Sequence, residues 1–204
     1  MRCRGGGDIT VRHNALRDEC FFRCLTAGLD AELEASGLLP DDPRRRPGDV
    51  VLRSCPGQGP VALDFAVTCP LQVALRRDAS GRQLAAAMAY EAEKLEDRDT
   101  AQRCAAQGLK LIPMVTETFG GWGPAAQGFF LSLAKASAER SGTDVSLATC
   151  QLYHSMGIRL QRANARAILS RIASTTTSCD YTALAATSRS EAALVLSAAT
   201  AAPV

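Results

Sequence analysis

Asp49 follows Pro47 and Gly48 at the head of a β-branched run, Val50, Val51 and Leu52, and Asp64 lies within a second run from Val61 to Thr68. Cys55, Pro56, Gly57, Gln58, Gly59 and Pro60 separate the two runs with turn chemistry, so the segment predicts a β-hairpin. A hairpin returns the chain to its start, which lets the two carboxylates approach at one end of a sheet. Paired carboxylates suit Mg²⁺ (or Mn²⁺), a hard ion that prefers oxygen ligands, polarises a phosphate and lowers the pKa of an attacking water. Asp64 is the sharper signal: Leu63 and Phe65 flank it, and a charge in an apolar strand is costly unless a partner meets it. A plainer reading remains open, in which Asp49 caps a turn and Asp64 faces solvent from an edge strand.

Chemistry that requires a lysine has three candidates. Twenty of the 23 basic residues are arginines, and the lysines are Lys94, Lys110 and Lys135. Tyr90 and Lys94 stand four apart in an Ala-rich helical segment, so they share a helix face that, laid over the hairpin, aims both at the aspartates. There a lysine orients a water or stabilises charge on a pentacovalent phosphate. Against this, Glu91, Glu93, Glu96, Asp97 and Arg98 surround Lys94, and such a mixed run commonly forms a solvated face.

Other residues with chemical potential are Arg12, His13, Asn14 and Arg17 near the start of a first helix, and Arg44, Arg45 and Arg46 after a turn. Both groups are candidates for phosphate contacts. Capping accounts as well for the first, and a solvated loop for the second. Glu34 is a candidate extra acid or a solvent-facing residue. Trp122, between glycines, either stacks on a base or folds back on the core. His154 has no acid or cysteine at a useful spacing.

The elements that must position these residues follow from periodicity and breakers. Residues 1–11 are Gly-rich and read as irregular. A helix is expected from an N-cap at Asn14 to Gly28, and a short helical piece over Ala31 to Ser36 ending at Gly37. After the hairpin, one long helix is expected over Gln83 to Gln107, closed by Gly108, then a buried strand over Leu109 to Thr118 in which Pro113 marks a bulge or an edge. Two helices complete the pattern, near Ala125 to Arg140 and Val145 to Ile172. Residues 173–204 are rich in Ala, Ser and Thr and read as a poorly ordered tail or a loose helix. The order predicts an α/β fold, a mixed sheet flanked by helices with extra helices at the C-terminal end.

Composition narrows the function classes. The chain has 204 residues, is 47% hydrophobic and carries a formal charge of +2, so it can build a core and is not wholly disordered. A nearly neutral sum offers no global field toward nucleic acid, and DNA binding must rest on local arginine clusters. No run is long and apolar enough for a membrane span or an export signal, which predicts an intracellular protein without a membrane partner. None of the eight cysteines forms a CxxC pair, and most read as small buried residues.

Taken together, Pro47-Gly48-Asp49, Asp64 with Val67 and Thr68, Tyr90 and Lys94, Ile112-Pro113 and the Gly120-Gly121-Trp122 loop resemble the restriction-like endonuclease domain of early-branching non-LTR retrotransposons, in the PD-(D/E)xK superfamily. The resemblance spans residues 3–172, including Arg12-His13-Asn14 upstream and Leu160, Arg162, Asn164 and Ala165 downstream. It implies a restriction-endonuclease-like sheet and Mg²⁺-dependent nicking of DNA to prime reverse transcription, in the nucleus where the target is genomic. A reverse transcriptase domain absent from this chain would be a partner. Asp49 and Asp64 would hold the metal. Lys94 would be the catalytic lysine, displaced onto the helix because Ala66 occupies the usual lysine position; Tyr90 would accompany it. Only Cys3 corresponds to the zinc module that precedes the nuclease in the family, so no zinc site is expected. The alternatives are a catalytically silent DNA-binding relic of such an element and an Ala-rich protein-interaction module.

Overall fold

A computed structural model describes residues 6–172; the tail expected over 173–204, and Cys3, lie outside the described residues. The elements are α1 (Gly6–Thr26), β1 (Ala31–Leu33), β2 (Val50–Cys55), β3 (Gly59–Thr68), α2 (Arg76–Gly81), α3 (Ala85–Glu96), a 3₁₀ turn (Asp97–Asp99), α4 (Thr100–Ala106), β4 (Lys110–Glu117), α5 (Pro124–Ser141) and α6 (Val145–Ile172). One compact unit extends through Asn164, and the final turns of α6 belong to a second that begins at Ala165.

The sheet has the order β1-β2-β3-β4. β2 and β3 form the expected antiparallel hairpin, with Val50 opposite Leu63 and Val51 opposite Ala62. β4 returns parallel to β3, pairing Asp64 with Pro113. The protein is thus α/β, with a four-stranded mixed sheet, flanking helices and two long helices toward the C-terminal end. Pro113 sits on the edge strand, where its missing N–H removes no bond to a further strand.

Strand alternation divides the core into two layers. Val50, Leu52, Val61, Leu63, Phe65, Ile112 and Met114 face α1, α5 and α6 in one large apolar cluster. α1 enters it through Leu16, Cys20 and Cys24, four apart and wholly buried. Val51, Ala62 and Leu111 face the other way, packing with Leu39 and with Cys104 of α4, while Ala66 and Val115 pack against Ala87 of α3. Asp64 shares the parity of Ala62 and Ala66, and Asp49 that of Val51. Both acids therefore belong to the face that α3 and α4 cover.

Three expected elements differ. The first helix starts at Gly6 and not after Asn14, which lies in mid-helix; Asp8 in the first turn favours the extension through the positive end of the helix dipole. Ala31 to Ser36 is not helical: Ala31–Leu33 pairs with β2, tertiary pairing overriding helical pattern. The single helix expected over Gln83 to Gln107 is broken into α3, the 3₁₀ turn and α4, with Asp99 left-handed at φ +53°. Aspartate tolerates that region and competes poorly for helix interiors. The short α2 has no counterpart among the elements expected from the sequence. Among the described residues, no helix is long and apolar enough to cross a membrane.

Candidate functional site

Gly48 brings the first acid into place. It passes so close to β3 that a Cβ at this position would stand 2.8 Å from the Leu63 carbonyl oxygen. The next residue, Asp49, donates its N–H to that same oxygen at 2.7 Å, while its Oδ2 accepts the Phe65 N–H at 2.6 Å. Backbone bonds to both flanks of Asp64 thus tie Asp49 beside it. The second acid meets the cation its burial demands: Lys94 Nζ, from α3, donates to Asp64 Oδ2 at 2.5 Å. Tyr90, one turn earlier, lies beneath the ammonium, 5.8 Å from ring centroid to Nζ.

Asp49, Asp64, Tyr90 and Lys94 line one cleft of about 940 Å³, with Arg45 and Arg46 on its wall. His13, on α1 and outside the cleft lining, donates from Nε2 to Asp49 Oδ2 at 3.0 Å, and Asn14 Oδ1 lies 3.2 Å from His13 Nδ1. The pair Arg12-His13 begins no helix, so capping is excluded for His13. Arg17 and Arg46 both bond Glu34, another cleft-wall residue, the first at 2.7 Å. Glu34 is therefore an anchor for two arginines, a role that sequence reasoning missed because it depends on the chain turning left-handed at Glu34, just past β1. Arg45 bonds Thr100 Oγ1. Arg12 is half-buried, with its Nε buried and unpartnered, and Arg44 is exposed outside the cleft lining. Trp122 folds back on the core, 3% exposed and edge-on to Phe130 at 4.8 Å, which removes it as a base-stacking residue.

The electrostatics separate the two acids. Burial raises the Asp64 pKa above its ordinary value even though Lys94 opposes the shift. Burial pushes Asp49 the same way, but the His13 bond, the Phe65 N–H and the charges of His13 and Lys94 together hold it below the usual carboxylate value. The Asp49 bond raises His13. The site therefore presents one firmly ionised carboxylate beside one that burial makes reluctant to ionise.

In both acids the bonds described fall on Oδ2. Two carboxylates opening on a shared polar cleft fit Mg²⁺, which commonly takes one or two carboxylates and keeps several waters. Among the described residues, no three His, Cys, Asp or Glu side chains converge as a metal-binding group. The cleft thus combines the aspartate pair, Lys94, Arg45 and Arg46 with four further acids, Glu34, Glu93, Glu96 and Asp97. No protein-family model, curated protein or solved structure matches the chain.

Proposed function

We propose that this chain is a Mg²⁺-dependent DNA endonuclease domain of retrotransposon type, which nicks one strand to prime reverse transcription by a polymerase domain elsewhere. The observation that carries the reading is the Lys94 ammonium, delivered by a helix onto Asp64 in the cleft that also holds Asp49. A lysine 30 residues downstream of the acid it meets supplies the cation that Ala66 cannot. Asp49 and Asp64 are the residues that would hold the ion, which when bound supplies Lewis-acid activation of the scissile phosphate. Lys94 stabilises negative charge on the reacting phosphate, Tyr90 supports the ammonium, and Arg45 and Arg46 receive backbone phosphates at the cleft wall. His13 holds the Asp49 carboxylate in position from α1.

The test is nicking of supercoiled plasmid with Mg²⁺, comparing wild type with Asp49→Ala and Lys94→Ala on folded protein. Loss of nicking in both variants is expected, with Asp64→Asn abolishing nicking while salt-sensitive DNA binding persists. Absence of nicking by folded wild type in both Mg²⁺ and Mn²⁺ would overturn the reading. One observation favours a silent DNA-binding relic instead: Lys94 already engages Asp64 Oδ2, and His13 with the Phe65 N–H engages Asp49 Oδ2.

A further inference from the structure

Past the C-terminal ends of β3 and β4 lies a second hollow of about 670 Å³, which shares no lining residue with the cleft. Its apolar wall includes Leu71, Leu84 and Phe119, and its charged rim includes Arg76 and Arg82. Leu71 is 62% exposed and Phe119 67% exposed. Phe119 is held outward by a tight turn: the Thr118 N–H bonds the Thr68 carbonyl at 2.9 Å, and the Gly120 N–H bonds the Glu117 carbonyl at 2.9 Å with Gly120 at φ +106°. The one acid lining the hollow, Glu117, is engaged, its Oε1 accepting the Ala87 N–H at 3.3 Å.

A depression on the outer side of α3 lies between the hollow and the cleft. Arg82 also lines a shallow depression with Arg77, Asp78, Ala85 and Ala89, and Ala89 also lines the cleft. Ala85, Met88, Ala89 and Ala92 recur at the spacing of one helix face. This outer stripe lies on the side of α3 away from Lys94 and borders the cleft through Ala89 and Ala92. Arg76, Arg77 and Arg82 form no ion pair among the described residues, so their charges remain free for a polyanion.

An exposed aromatic ring held over an apolar hollow, with unpaired guanidinium groups at the rim, matches an unpaired nucleobase and its flanking phosphates. A duplex keeps its bases stacked internally, and an apolar peptide has no use for the arginines. We propose that this hollow binds a base of single-stranded DNA, stacked on Phe119 with Arg76 and Arg82 on its phosphates. Occupancy of the hollow does not rest on the nuclease reading.

Binding is measured in EDTA by fluorescence anisotropy, with a strand of about 15 nucleotides and the matching blunt duplex. Phe119→Ala should weaken single-strand binding about 5- to 100-fold and leave the duplex within about twofold, while Phe119→Trp retains binding. Arg76→Gln with Arg82→Gln should reduce the salt slope for the single strand by about 1.4. Quenching of a 2-aminopurine base on binding should disappear in Phe119→Ala. These side chains are exposed, so an unchanged thermal midpoint verifies folding of each variant. Equal single-strand affinity in wild type and Phe119→Ala overturns the proposal, as does a loss equal for strand and duplex. Self-association that Phe119→Ala abolishes, without DNA, would assign the surface to a second copy and also overturn it. Binding that follows this pattern in a protein that never nicks would sink only the nuclease reading.

Discussion

Replacing Lys94 by methionine keeps the length of the side chain and deletes the charge, which leaves Asp64 without its partner. Truncating one end of a fully buried pair costs about 3–5 kcal/mol, whereas a solvated pair is worth about 0–1 kcal/mol. The Lys94 and Asp64 side chains are 17% and 29% exposed, nearer the buried limit, so Lys94→Met should cost about 2–3 kcal/mol at neutral pH. The sign of the pH dependence follows from Asp64. Burial raises its native pKa above the ordinary 3.8, so the native state keeps a proton that the unfolded chain has lost. That contribution is fully present below about pH 3.8 and is lost as pH rises through the native value. Removing Lys94 lifts the native value further, so the destabilisation should be small near pH 4 and grow toward pH 8. Urea unfolding across this range, followed by the fluorescence of the single tryptophan, Trp122, reports it. In an Asp64→Asn background the same substitution should cost under about 0.5 kcal/mol. A cost that is independent of pH, or equal in the Asp64→Asn background, would refute the idea that the ammonium is there to offset the buried carboxylate.

Three further expectations concern the scaffold of the site. His13→Gln should cost about 1–2 kcal/mol at pH 6. Because the His13 pKa is raised, its stabilisation is complete below about pH 6.5 and fades as pH climbs through the native value, so wild type and variant should converge in alkaline buffer; a constant gap in unfolding free energy would count against the His13-Asp49 bond. Gly48→Ala should displace Asp49, since the new methyl group would meet backbone at 2.8 Å, and plasmid nicking should fall at least tenfold in protein that remains folded; unaltered nicking would show that the strand end yields freely. Gly123→Ala should lower stability by about 2 kcal/mol, read as a shift of the urea midpoint, because a Cβ there would stand 2.1 Å from Glu91 Oε1, the oxygen that bonds the Ala125 N–H at the start of α5.

The hairpin, the returning strand and the last two helices were legible in the chain because their signals are local: alternation, a Gly/Pro turn, and apolar periodicity bounded by breakers. The need for a partner at Asp64 was legible too, since a carboxylate between Leu63 and Phe65 in a strand is costly whatever the fold. The spacing of Tyr90 and Lys94 placed them on one helix face, and only the packing of α3 on the sheet turned that face toward Asp64. Tertiary structure alone decided the rest. β1 exists because β2 offers it an edge, against the helical pattern of Ala31 to Ser36. His13 meets Asp49 only because α1 begins at Gly6 and packs across the sheet through Leu16, Cys20 and Cys24. Trp122 turns inward because Phe130 is there to receive it, and Phe119 is left outside by the same turn. Local sequence specifies which elements form and which charges must be neutralised, whereas contacts between residues 30 or more apart depend on how helices settle on a sheet, and that is set by the shape of the whole core.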